Sequence, residues 1–156
     1  MKKKSTPRSS AVLTVAAVVL SALGSGLAGA SAATAATAAS SAGWCNGKTY
    51  DTFPSGAKGY VPTYNGKWNC TMSRGASGEH VEVLQRTLKD CYNQRITVDG
   101  QFGPATETAL RYAQNMTDPM YPANIEGDGV YGPITAEYLS HYATKSGSTR
   151  CSSLHG

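Results

Sequence analysis

A short stretch of this chain occurs twice, and the repetition constrains the fold more than any other feature. Residues 99–110 read DGQFGPATETAL and residues 128–139 read DGVYGPITAEYL. Six of the twelve positions are identical, and Phe102 stands opposite Tyr131 at a seventh, all at one offset of 29 residues. Each copy reads as a turn that opens a helix. The Asp carboxylate is suited to accept backbone N–H groups inside the turn, and the Gly after it to take a positive φ. The aromatic residue then packs inward, the second Gly serves as N-cap, and Pro104 or Pro133 occupies the first helical position.

Helical periodicity extends the reading in both directions. Thr106, Ala109, Leu110 and Ala113 form one stripe, and Thr135, Tyr138, Leu139 and Tyr142 are their counterparts. Upstream, Val81, Leu84, Leu88 and Cys91 step by 3, 4 and 3, the stripe of an amphipathic helix with Ser77 placed as N-cap. His80 falls in the first turn of that helix, where capping is its ordinary role. The expectation is an all-α fold, a compact three-helix bundle with helices at 78–92, 104–115 and 133–143. Tyr138 and Tyr142 align with Ala109 and Ala113, so their rings are expected to fill the core space those small residues leave.

A helix with V-x-x-L-Q followed by two D-G-x-[FY]-G-P-x-T units resembles the peptidoglycan-binding-like domain family. The residues that carry the likeness are Val81, Leu84 and Gln85, then Asp99, Gly100, Phe102, Gly103, Pro104 and Thr106, then Asp128, Gly129, Gly132, Pro133 and Thr135. The likeness covers residues 75–142 and implies a three-helix fold within 75–151. It also implies binding to bacterial cell wall, usually as a targeting module beside a hydrolase. Two departures stand out. Relatives carry an aromatic residue before the Gln that ends the second helix, whereas here the pair is Ala113-Gln114, with Tyr112 one place early. NMTDPMYPAN also lengthens the loop that leads to Ile125.

The rest of the chain reads differently. MKKKSTPR, then the apolar AVLTVAAVVLSAL, then small residues follow the order of a secretory signal peptide over residues 1–32, with cleavage after Ala30 or Ala32. An uncleaved anchor at 11–30 is the alternative, but the weak hydrophobicity after Leu23 favours cleavage and no stable membrane anchor. The destination expected is secreted, extracellular or cell-wall associated. Residues 33–42 form an Ala/Ser/Thr-rich flexible leader. Of 14 basic side chains, Lys2, Lys3, Lys4 and Arg8 lie at the start, which leaves ten against ten acidic ones from residue 31 onward. That balance excludes a phosphate-neutralising patch, and with it nucleic acid as a partner.

In an oxidising compartment four cysteines favour a disulfide framework. Their gaps of 25, 21 and 60 residues match no zinc-ligand spacing. Of three connectivities, Cys45–Cys70 with Cys91–Cys151 is preferred. The first closes residues 43–74 on themselves as an irregular Gly/Tyr-rich N-terminal appendage, and the second ties a helix end to the C-terminal tail. Asn65-Gly66 between Tyr64 and Lys67 signals a hairpin inside the appendage.

Catalytic chemistry finds little support. Three His, at 80, 141 and 155, have no metal spacing, and Gly75-Ala76-Ser77-Gly78 is not a nucleophile elbow. Glu126 and Asp128 would be a conceivable acid/base pair, yet the repeat gives Asp128 the turn role of Asp99. The expected protein is therefore not an enzyme and uses no cofactor or metal. It binds peptidoglycan or its fragments, alongside a separate secreted cell-wall hydrolase. Tyr92, Tyr112 and Tyr131, at helix ends or turns, are the candidate ligand residues, joined by Gln85 through the family likeness. The alternative reading is a secreted protein–protein partner, such as a protease inhibitor or propeptide-like bundle, for which a free cysteine would speak.

Overall fold

The computed structural model describes residues 42–117 and 125–155. The expected signal peptide, the leader up to residue 41 and residues 118–124 of the lengthened loop lie outside them. The element order is β1 (Gly43–Trp44), β2 (Gly47–Thr52), β3 (Lys58–Thr63), β4 (Cys70–Thr71), α1 (Glu79–Cys91), α2 (Pro104–Thr117), α3 (Pro133–Tyr138), β5 (His141–Lys145) and β6 (Ser148–Ser152). The fold is mixed α/β, which corrects the all-α expectation.

Helices α2 and α3 start where the turn chemistry puts them. Glu107 N donates to Gly103 O and Ala136 N to Gly132 O, so both Gly-Pro steps open a helix as the repeat requires. Helix α1 begins one residue later than expected: its N-cap is Gly78, at φ 126, and not Ser77. Only a glycine holds that backbone angle without strain. Helix α3 is the larger correction. It ends at Tyr138, and Leu139 is already extended at φ −63 and ψ 136. Beyond it the chain pairs as β5 with β6, through Ser146 and Gly147 at φ 51 and 77, the two-residue hairpin turn with both angles positive. Tyr142 is thus a strand residue. Neither it nor Tyr138 fills the space beside Ala109 and Ala113; both are half-buried. The large ring in that core is Tyr131, with Phe102, Met72 and the Cys45–Cys70 pair in the same cluster.

Two hairpins make the main sheet, in the order β2-β3-β5-β6. β2 and β3 pair over six residues and β5 and β6 over five, while β3 meets β5 at Lys58 and Thr144 alone. A side chain on Gly59 would run into the Tyr142 carbonyl, so the close crossing of the hairpins needs glycine there. Pro62 is tolerated in β3 because that end of the strand has a partner on one side only. The short β1 runs parallel to β4, and the Asn65-Gly66 turn forms with φ 50 and 78. From Met72 to Gly78 the chain laces the two repeats together. Met72 exchanges backbone bonds with Tyr131, Gly75 and Ala76 bond to Phe102, and Gly78 N donates to Gly100 O.

Both disulfides form as expected, Cys45–Cys70 and Cys91–Cys151. In the loop-entropy account bridges of this span contribute roughly 3–4 kcal/mol each. The second joins the end of α1 to β6, beside a Tyr142 N donation to the buried Thr87 hydroxyl at 3.1 Å. Tyr92 ties the helix ends together: its hydroxyl pairs with Thr117 Oγ1 at 3.1 Å and accepts from Ser140 N at 2.8 Å.

His141 sits between Phe53 and Tyr131, with ring centroids 6.0 and 6.4 Å away. Its Nε2 donates to Ala136 O at 2.7 Å, while Nδ1 and the Tyr131 hydroxyl find no partner among the described residues. Burial lowers the His141 pKa to about 4 and outweighs the opposing carbonyl bond. Burial also lowers His80, against the pull of Glu79. An unfolded chain therefore takes up protons that the folded one refuses. Stability is complete above the ordinary histidine pKa of 6.5 and drains away as pH falls toward 4. The loss attached to His141 is on the order of 3 kcal/mol. Denaturant midpoints measured from pH 7.5 to 4 should fall in that window, and His141→Gln should flatten most of the slope; an unchanged slope would refute the assignment.

Candidate functional site

The interior of the helical part is organised by two glutamines 29 residues apart. Gln85, on α1, is 1% exposed. Its Nε2 donates to Asp99 Oδ1 at 2.8 Å, Gln101 O at 3.0 Å and Thr106 Oγ1 at 3.1 Å. Its Oε1 accepts from the backbone N–H groups of Asp99 and Gly100 at 3.0 and 2.9 Å. Gln114, on α2, repeats the arrangement with Asp128 Oδ1, Val130 O and Thr135 Oγ1, and accepts from Gly129 N at 2.9 Å. In each copy one buried amide locks a helix to the next D-G turn and to the threonine that follows. Asp99 and Asp128 also accept from the N–H two residues on, at 2.9 and 2.8 Å. The N–H of Gln101 and the Gln85 amide hold the Asp99 carboxyl below the usual range. Gly100 and Gly129 take φ 70 and 72, and Phe102 and Tyr131 point into the core.

This geometry reassigns the candidate ligand residues. Gln85 and Tyr131 are sealed in the interior, so neither reaches a ligand; the first is a structural latch and the second a core ring. Tyr92 is half-buried with its hydroxyl engaged in the joint described above. Tyr112 alone of the four stands clear, 48% exposed on α2. The four are not brought together. Asp128 is bound into its turn as Asp99 is, and Glu126 lies exposed. Among the described residues no three of His, Cys, Asp and Glu gather as a metal would require.

A surface with unspent chemistry lies elsewhere, between the sheet and α1. A groove of about 410 Å³ is bounded by Tyr50 of β2, Tyr60 of β3 and Tyr142 of β5, with Glu82, Val83 and Arg86 of α1 and Val98 opposite. That volume falls in the range of small-molecule sites. Tyr50 and Tyr60 meet edge to face at 5.0 Å and are each about half exposed. Lys48 stands over the Tyr60 ring at 5.0 Å and Arg86 over the Tyr142 ring at 5.4 Å. Lys48 also pairs with Glu79 at 3.1 Å, and Arg86 reaches Asp90 only at 3.9 Å. Two charged groups on the groove, Lys58 and Glu82, have no ion-pair partner among the described residues. By contrast, a depression of about 310 Å³ beside Gln114 is lined by Asp128 and Thr135, whose polar atoms the latch already uses.

The groove residues escaped the sequence reading, although a signal was present. Lys48-Thr49-Tyr50 and Lys58-Gly59-Tyr60 repeat K-x-Y at a spacing of ten. On strands, a period of two puts Lys and Tyr on one face. Without knowledge that these segments were strands, the pattern had no face to define.

Comparison with known proteins agrees with the helical half. Residues 77–119 match the family model described as "Putative peptidoglycan binding domain". A zinc D-Ala-D-Ala carboxypeptidase of Streptomyces albus G is 36% identical over 70 residues, covering 44% of this chain and 25% of that protein. The chain thus spans about a quarter of the length of the curated relative it matches. No solved structure matches.

The latch accounts for the repeat, and it can be weighed by substitution. Gln114→Leu strands the Gly129 N–H and the Thr135 hydroxyl in the interior and should cost about 2–4 kcal/mol. Gly129→Ala should cost more than Gly100→Ala. A methyl there would lie 2.7 Å from Glu107 Cγ, against 3.2 Å from Glu82 Cγ at Gly100. Glu107 cannot swing aside, because Arg74 and Arg111 hold its carboxylate at 2.7 and 3.0 Å. Urea unfolding of the three variants tests this; a Gln114→Leu protein within about 0.5 kcal/mol of wild type, the range of inert surface changes, would overturn the latch.

Proposed function

We propose that this chain, whose residues 77–119 match the peptidoglycan binding domain model, is a secreted, non-catalytic protein that attaches to bacterial cell-wall peptidoglycan. The family match carries the reading. Its non-catalytic part is supported by the use of the carboxylates. Asp99 and Asp128 serve turns and latches, and Glu107 is clamped by two arginines, whose hydrogen bonds keep its pKa low. The catalytic activity in the name of the Streptomyces relative belongs to a protein four times the span of the shared segment. Export is supported by the order of charged, apolar and small residues at the start of the chain and by two disulfides. Among the described residues no helix is long and apolar enough to cross a membrane.

The rival reading, a secreted protein partner of propeptide type, drew on a free thiol that would block a metal. All four sulfurs are engaged in the two bridges, so that version has no group to act with.

The protein with both disulfides formed should co-sediment with purified insoluble peptidoglycan. The pelleted fraction should persist through roughly 0.5 M salt, where the Debye length has shrunk to about 4 Å. Pelleting that vanishes at modest salt would indicate electrostatic capture only. Absence of pelleting at every salt concentration would reject wall attachment and point to a protein partner.

A further inference from the structure

We infer that the groove between the sheet and α1 is the ligand site, and that it takes an N-acylated sugar bearing an acidic peptide, the carboxylate on Lys58 and the sugar face on the Tyr50–Tyr60–Tyr142 wall. This inference rests on the wall-binding reading and locates it on the molecule. Most of the groove lies outside the family-matched residues: of its lining, only α1 and Val98 fall within 77–119.

Three observations converge on that class of ligand. Exposed phenol rings offer flat apolar faces to the C–H face of a sugar, while their hydroxyls stay free for polar contacts. Tyr50 and Tyr60 are held in register across β2 and β3, so two ring surfaces are fixed relative to each other before any ligand arrives. The charge pattern then selects within sugars. Lys48, Lys58 and Arg86 border the groove, and among the described residues Lys58 has no ion-pair partner to give up. The Lys48–Glu79 and Arg86–Asp90 pairs are solvent-exposed, with side-chain exposures of 31% or more, and exposed pairs are worth little, so both cations can also turn to an incoming anion. Among the described residues Glu82 is the one carboxylate on the groove; as an acceptor it calls for an N–H or O–H donor on the ligand, which an acyl-amino group supplies. A neutral glycan would leave Lys58 without an anion. A bare polyanion would face Glu82 and waste the rings.

The test uses the full disulfide-bonded protein and soluble muropeptides released from the wall by a muramidase, with the same glycan stripped of its peptides by an amidase as the second probe. Titration followed by tyrosine fluorescence should show muropeptide binding that weakens about ten-fold or more in Lys58→Gln, the weight of one hydrogen bond to a charged group. A Tyr60→Ser variant should weaken it comparably, with both variants unfolding at the wild-type temperature. The stripped glycan should bind wild type and Lys58→Gln alike, and more weakly than the muropeptide binds wild type. Unchanged muropeptide affinity in both variants would overturn the site while wall sedimentation, and the wall-binding reading with it, survived. Equal affinity for the two probes would overturn the carboxylate assignment. A wild-type protein that does not sediment with whole wall would remove the reading beneath both. If Tyr60→Ser unfolds early, Tyr60→Phe replaces it: it keeps the ring and should retain binding within about three-fold, whereas loss as large as in Lys58→Gln would refute ring stacking.

Discussion

A buried side-chain amide holds each half of the helical part together, and most of the remaining structure follows from it. A D-G turn leaves consecutive backbone N–H groups pointing inward, where no water can satisfy them. Gln85 and Gln114 meet that demand from the preceding helix and return their own N–H groups to an Asp, a carbonyl and a Thr. Helix, turn and following helix become one unit. Two such units share a core because α2 is the last helix of the first and the first helix of the second. The true period is thus a helix, a loop and a turn, with Gln114 the repeat of Gln85. In that light the Gln of the Ala113-Gln114 pair is the group that the second latch uses.

What the sequence disclosed and what it withheld divide along a physical line. Turn and cap chemistry is local, and the positions that carry it are readable: Asp99 and Asp128 in the turns, Pro104 and Pro133 at helix starts, and Asn65-Gly66 in a hairpin. Pairing between distant segments is not local. β3 meets β5 across more than eighty residues, at Lys58 and Thr144, and neither strand has a long alternating pattern of its own. The repeat itself misled at its end. Carried past Leu139, it laid Tyr142 over Ala113 and hid the Ser146-Gly147 turn, which is a hairpin signal as direct as Asn65-Gly66. Tertiary pairing overrode a pattern that held only for the six residues of α3.

The ligand candidates failed for a related reason. Turns and motif positions often face ligands, which makes Tyr131 and Gln85 candidates in the sequence, yet burial decides, and both are interior. Their identity is demanded by packing and by satisfaction of N–H groups, which constrain sequence as tightly as binding does. Residues with spare valence were in the segment with least helical character. Lys58, Tyr60 and Tyr50 sit on a sheet that the C-terminal strands complete.

That dependence gives the second disulfide a role beyond stability. The groove has one wall on the sheet and one on α1, so its width is set by whatever fixes those two against each other. Cys91 at the end of α1 is bonded to Cys151 on β6, and Tyr142 on β5 is hydrogen-bonded to Thr87 one helical turn earlier. Cys151 is the register partner of Tyr142, so both ties act on the same rung of the sheet. The tyrosine under Arg86 is therefore anchored through its own backbone. A site built this way spends little ordering free energy on ligand arrival, because the rings and the opposing helix face are already in place.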